Sequence, residues 1–233
     1  MAQQTFRYLA ENGITSFFCG FIGYRVCEGG LWHMVFSSYD PPRFLRPGDS
    51  IAKLKFPGET ALSREYPVDV GWRGFREEVT RPHSKVGLDL RYAKLVYQRF
   101  TPDDDHLGGI HARLFFVFSV DLIAGDNDRW LRTTPRREDD GTVLGPPHLE
   151  RVEVVREGIF PTHKSPLAFA IEFLARDRKI TDCIYGETLE LACEHVRLTN
   201  ENESGYRRSK GIPLGLLLDE ERLHPPDRAV VLS

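Results

Sequence analysis

Gly108–Trp130, GGIHARLFFVFSVDLIAGDNDRW, holds the densest apolar run of the chain, Leu114-Phe115-Phe116-Val117-Phe118-Ser119-Val120. A strand with one wet face alternates apolar and polar residues, and this run does not. It reads as a fully buried strand at the centre of the core. A diglycine precedes it, and an acidic turn with an Arg/Trp cluster follows.

Working outward, residues 14–27 (ITSFFCGFIGYRVC) and 31–39 (LWHMVFSSY) read as two strands joined by a glycine-bearing turn, which makes a hairpin. Residues 50–56 (SIAKLKF) read as a third strand. Residues 57–84 are rich in Gly, Pro and charge and read as an irregular loop, unusually long for a compact domain. Residues 86–100 suit strand or helix, as do 187–198. Residues 101–109 read as an acidic loop, 125–150 as a second long loop, and 151–157 and 212–218 as short strands. The clearest helix spans Ser165–Arg178: Ser165 suits the cap, Pro166 the first turn, and Leu167, Ala170, Ile171 and Leu174 form one stripe. Strands outnumber helices and do not alternate with them regularly. The expectation is an α+β fold, a curved, mostly antiparallel sheet or partial barrel with one or two packed helices. It forms a single domain over residues 1–233, with irregular loops at about 57–84 and 125–150.

Of the 233 residues, 41% are apolar and 28% charged, the balance of an ordinary globular chain, which excludes disordered and fibrous classes. No apolar run approaches the roughly 20 residues needed to cross a bilayer, so no membrane partner is expected. The polar start, MAQQTFRYLAENG, lacks a signal-peptide apolar region, so a soluble, cytoplasmic protein is expected. The four cysteines form no CxxC pair, and they read as small buried residues. Residues 1–100 carry 14 Lys/Arg against 10 Asp/Glu, and the rest 17 against 24, so the N-terminal part is mildly basic.

Several chemistries lack their motifs. There is no GxGxxG, P-loop, GxSxG elbow or HExxH, and no cofactor is expected. Cys183, Cys193, His195 and His163 are spaced more widely than compact zinc motifs, so no metal site is expected. His163-Lys164-Ser165 has the His-x-Ser form of two-histidine phosphoesterases, but the second such motif is missing. His111 and Arg113 alternate at the start of the core strand and share a face. They suit a general acid/base with an electrostatic partner, and Asp121 or Glu172 offers a carboxylate. His111 and Asp121 lie roughly 33 Å apart if the strand is unbroken, so a shared site requires a break.

Arginines interleaved with aromatics suit nucleic acid, the guanidinium meeting phosphate and the ring meeting base. Arg129, Trp130, Arg132, Arg136 and Arg137 form one such cluster. Tyr206, Arg207, Arg208 and Lys210 form a second, and Arg43, Phe44 and Arg46 a third. Glu138-Asp139-Asp140 lies beside the first and offers it internal neutralisation. The leading expectation is recognition of a nucleic acid or nucleotide through Trp130, Arg132, Arg136, Arg137, Arg207 and Arg208, with RNA or DNA as partner. One alternative is a hydrolase or transferase acting on a nucleotide or nucleic acid through His111, Arg113 and Asp121. Another is a non-catalytic subunit or adaptor with a protein partner.

The order Arg46-Pro47-Gly48-Asp49, a strand, then an apolar strand ending near an acidic turn and Trp130 resembles PUA-like domains of the ASCH and EVE type across residues 14–130. The resemblance implies a barrel whose loops read RNA or a modified base.

Overall fold

The structure, a computed structural model, describes residues 2–27, 32–40, 53–82, 84–106, 108–123, 130–139, 141, 143–177 and 186–225. In chain order the elements are α1 (Ala2–Glu11), β1 (Ile14–Val26), β2 (Trp32–Asp40), β3 (Lys53–Lys55), β4 (Gly58–Leu62), α2 (Pro67–Val79), β5 (Lys94–Asp103), β6 (Gly109–Ser119), β7 (Arg136–Arg137), β8 (Val143–Leu144), β9 (His148–Arg151), α3 (Val152–Gly158), α4 (Lys164–Arg176) and α5 (Gly186–Lys210).

From Leu114 to Phe118, strand β6 has no wet face. Leu114, Phe116 and Phe118 enter one hydrophobic cluster, and Phe115 and Val117 enter another on the opposite side of the sheet. The first cluster is closed by α1, α2 and the irregular segment after α5, through Leu9, Val68, Phe75, Val79, Ile212 and Leu216. The second is closed by α3, α4 and α5, through Val152, Val155, Leu167, Ile171, Ala192 and Val196. Both layers of side chains leave water, which explains why the sequence run carries no polar alternation.

The strands run β5-β6-β1-β2-β8-β7 across one sheet, with β3 and β9 also on β2 and β4 on β1. Among the described pairings only β1 with β6 is parallel. The α+β class and the mostly antiparallel sheet are therefore as the sequence indicates, and the hairpin of residues 14–27 and 31–39 is present as β1 and β2, with Tyr24 opposite Met34. The sheet is open, with helices on both faces.

Several local readings differ. The stretch 57–84 contains the 13-residue helix α2. Its buried stripe includes Pro67, Gly71, Gly74, Phe75 and Glu78, and two of those positions are glycines, which register as loop in a hydrophobic count. Residues 151–157 are mostly helix α3: Val152 and Val155 are buried while Val154 is 47% exposed, which is the helical period rather than the strand period. Residues 187–198 lie inside α5. Residues 212–218 bury Ile212, Leu216 and Leu218 without pairing as a strand.

The glycines let α2 and β4 lie against β1. A Cβ on Gly58 would sit 2.6 Å from the Cys19 carbonyl oxygen and 2.7 Å from Gly20 Cα, both backbone atoms that cannot swing aside. A Cβ on Gly71 would sit 2.8 Å from Cys19 Sγ. Gly58→Ala is therefore expected to destabilise the protein by about 3 kcal/mol, the upper range for overpacking. In a chain of this size that lowers Tm by about 6–12 °C. Gly205 lies exposed within α5 with nothing near its virtual Cβ. The same substitution there stabilises, by up to about 1 kcal/mol. Thermal melts of the two variants, shifting in opposite directions, are the check.

Candidate active site

The register of the sheet builds this site. Across β4, β1, β6 and β5, Leu62, Ser16, His111 and Thr101 occupy one row, and Thr60, Phe18, Arg113 and Arg99 the next. His111 and Arg113 are two apart on β6 and face the same side, as their alternation predicts. Together with Phe18, Thr60, Phe115, Thr162 and His163 they line a cavity of about 160 Å³. His111 and Thr60 also line a neighbouring cavity of about 460 Å³, whose wall includes Ser16, Asp103, Asp104, Asp105 and His106.

Ser16, backed by Asp103, fixes the His111 ring. Ser16 Oγ lies 2.6 Å from Asp103 Oδ2 and 2.8 Å from His111 Nδ1. Burial alone would raise the Asp103 pKa, but hydrogen bonds from Ser16, Thr15 and His106 outweigh it and hold the carboxyl at about 2. Asp103 is therefore an acceptor only, and the single Ser16 proton must go to it. The short contact to His111 is then donated by Nδ1–H. The neutral ring carries its lone pair on Nε2, free to accept a proton. Burial, followed by the Arg113 charge, lowers the His111 pKa from 6.5, so the ring is a neutral base at pH 7.

Arg113 makes no hydrogen bond or ion pair with any described residue. Its cross-strand neighbour on β5 is Arg99, whose guanidinium lies 5.0 Å from the Tyr206 ring centre and whose Nε is buried without a hydrogen-bond partner. Like charges directly opposite in a sheet are unfavourable unless an anion lies between them. The far wall adds no carboxylate. His163 is buried, stacks at 6.0 Å on Phe56, and accepts the Phe56 amide at Nδ1. Burial, then Lys55 and Arg113, lowers its pKa to about 3, so it stays neutral. Lys55 itself meets the buried Glu78 at 3.2 Å.

The other expected site residues lie apart from this cavity. Asp121 follows β6 at its far end and pairs with Arg25 at 2.7 Å. Glu172 lies on α4, paired with Arg176 at 2.5 Å. Neither serves His111; Asp103 does, through Ser16. Trp130 is buried in the first cluster. Arg132 is 5% exposed and its guanidinium binds the carbonyls of Glu78, Thr134 and Gly145. Arg207 is likewise 5% exposed, bound to Glu203 and to the carbonyls of Pro213, Leu214 and Leu216, with its charge over Phe100. A guanidinium held on buried carbonyls is turned away from solvent, and a buried indole cannot stack on a base. Trp130, Arg132 and Arg207 are therefore turned into the fold, against the expectation that these three side chains face a nucleic acid. Arg136 pairs with Glu77 at 3.5 Å and Glu138 at 3.1 Å. Arg137 and Arg208 are exposed. Arg43, Phe44, Arg46, Arg129 and Cys183 lie outside the described residues, and among those described no group of three or more His, Cys, Asp and Glu side chains is placed to hold a metal ion. Ser165 does not cap α4; its hydroxyl lies 3.0 Å from His195 Nε2. No helix among the described residues is long and apolar enough to cross a membrane.

A second polar group gathers on α2. Arg73 bridges Glu59 at 3.0 Å and Glu65 at 3.4 Å. Burial raises the Glu59 pKa, Arg73 opposes it, and Glu77 adds to it. The two carboxylates share the single guanidinium, so the group is net acidic.

No family model matches the chain, and no curated protein matches it. Among solved structures it is similar to a Nudix hydrolase from M. smegmatis, RenU, at 14% identity and TM-score 0.44, covering 68% of this chain and 86% of that one. The E. coli ORF135 protein is 17% identical at TM-score 0.42, covering 72% and 96%. A putative Nudix hydrolase from Listeria monocytogenes is 9% identical at TM-score 0.42, covering 71% and 97%. Two of these three are Nudix hydrolases by name and none is a PUA-like domain. The resemblance to ASCH and EVE domains is corrected by the sheet itself, which is open between helical layers: β3, the strand after Gly48-Asp49, spans three residues on β2 and opens no barrel.

Proposed function

We propose that this protein is an enzyme, a hydrolase or transferase acting on a nucleotide or a related phosphate ester. The observation that carries the reading is the His111–Ser16–Asp103 array, whose second ring nitrogen and neighbouring Arg113 have no hydrogen-bond partner among the described residues. Arg113 holds the phosphoryl group. His111 Nε2 accepts the proton of the attacking water or alcohol as its oxygen bonds to phosphorus; the P–O bond to the leaving group breaks, the electron pair departs on that oxygen, and the imidazolium later gives its proton to solvent. The new imidazolium keeps its Nδ1–H on Ser16, and the ionised Asp103 stabilises that charge through the hydroxyl. Thr60 and Thr162 offer hydroxyls to the remaining oxygens. The larger cavity, with its carboxylates, suits the hydroxyls of a sugar rather than a second phosphate.

The test is product release from a panel of nucleoside mono-, di- and triphosphates and nucleotide sugars. One class is expected to turn over, and Arg113→Gln to lower kcat/KM for it by about 10²-fold, the lower range for removing a charged transition-state donor. Nucleotide binding without turnover, lost in Arg113→Gln, would leave recognition as the function of the same cavity. Neither binding nor turnover across the panel would sink both readings.

A further inference from the structure

On the α-helical side of the second cluster, away from the His111 cavity, α3, α4 and α5 enclose a groove of about 400 Å³. Its floor is apolar, made by Ile159, Leu167, Ala168, Ile171 and Ala192, all buried. Leu191 forms one wall and stands 47% exposed. The rim is different. Arg156 and Lys164 stand there, and neither has an ion-pair or hydrogen-bond partner among the described residues. Arg156 Nε is buried and still without a partner. Glu157 is the one carboxylate in the lining, set against the two cations. The remaining polar group, His195, is fixed by Ser165 at 3.0 Å, and burial followed by the Lys164 charge keeps it neutral.

An apolar floor this size has room for a flexible chain. A buried guanidinium nitrogen without an acceptor is costly and points to a missing one. The two requirements meet in a single ligand. We propose that this groove binds a single-chain amphiphilic anion, an aliphatic tail of about eight carbons on Leu167, Ala168 and Ile171 with its anionic head between Arg156 and Lys164. The site is independent of the proposed phosphate chemistry, because none of its residues lines either cavity at His111.

Isothermal titration of the full chain with hexanoate, octanoate, octyl phosphate and 1-octanol tests this. Octanoate is expected to bind at least tenfold tighter than 1-octanol. Octanoate should also exceed hexanoate by up to about 4-fold per methylene. Comparing octanoate with octyl phosphate tells a carboxylate head from a phosphate one. Arg156→Gln with Lys164→Gln should bring octanoate down to the 1-octanol level and leave 1-octanol unchanged. Ala168→Phe, which fills the floor, should abolish both, with thermal melts confirming that it folds. His111→Gln should change nothing. Failure of both anions to bind overturns the proposal, as does octanoate affinity that is equal to that of 1-octanol or unaltered in the double variant.

Discussion

His111→Gln is expected to lower turnover of the substrate found in the nucleotide panel by 10²–10⁴-fold, the range typical of a lost general base. The side chain stays polar and of similar length, so folding is not the target. In the wild type the acid limb of kcat/KM should fall at an apparent pKa below 6.5, because burial and Arg113 both disfavour the charged ring. Ser16→Ala separates positioning from chemistry. It leaves the base in place but removes the only link between Nδ1 and the Asp103 carboxylate. A smaller drop, of about tenfold, is expected, with the acid limb moving further down as the imidazolium loses its distant stabiliser. Rates of His111→Gln equal to wild type would remove His111 from the chemistry.

Acidification is expected to destabilise the fold, and His163 to be the largest single cause. Its pKa is about 3 in the folded protein and 6.5 in the unfolded chain. The unfolded state therefore binds the extra proton between those values. The contribution is fully present above pH 6.5 and is lost progressively as pH falls toward 3, to a limit of about 5 kcal/mol. His111, His195 and His224 are also lowered, and each adds slope of the same sign. Asp103 acts lower still, losing its contribution as pH falls from 3.8 toward 2. His163→Asn keeps an acceptor for the Phe56 amide and removes the titration. Urea unfolding midpoints measured from pH 7 to pH 4 should fall steeply in wild type and markedly less in the variant. Equal slopes would show that the buried ring does not govern acid stability.

What the sequence revealed follows from where each signal resides. The run Leu114–Val120 announces a strand with two dry faces, and the alternation of His111 with Arg113 places both on one face. Those are local patterns. Ser16 and Asp103 carry no local signal, because they lie 87 residues apart and meet only through the pairing of β5, β6 and β1. The polar pair Thr15-Ser16 at the start of an otherwise apolar β1 is the hint the sequence offers. Helix α2 was hidden because Gly71 and Gly74 stand where a helix stripe normally shows large apolar residues. The arginine clusters misled for a different reason. Composition cannot tell a guanidinium facing water from one capping buried carbonyls, and Arg132 and Arg207 are of the second kind. Asp121 lay near the right strand but at the wrong end of it.

The parallel pairing of β1 with β6 bears on how the molecule comes into being. Ser16 and His111 are 95 residues apart in the chain, and no hairpin brings them together. Closing so long a segment costs chain entropy before any contact repays it, which makes such pairings late events in folding. The helices and the β1–β2 hairpin form from neighbours, but the base and its carboxylate exist as a unit only once this seam has zipped. On the proposed chemistry a partly folded chain is silent, and competence arrives only with the completed sheet.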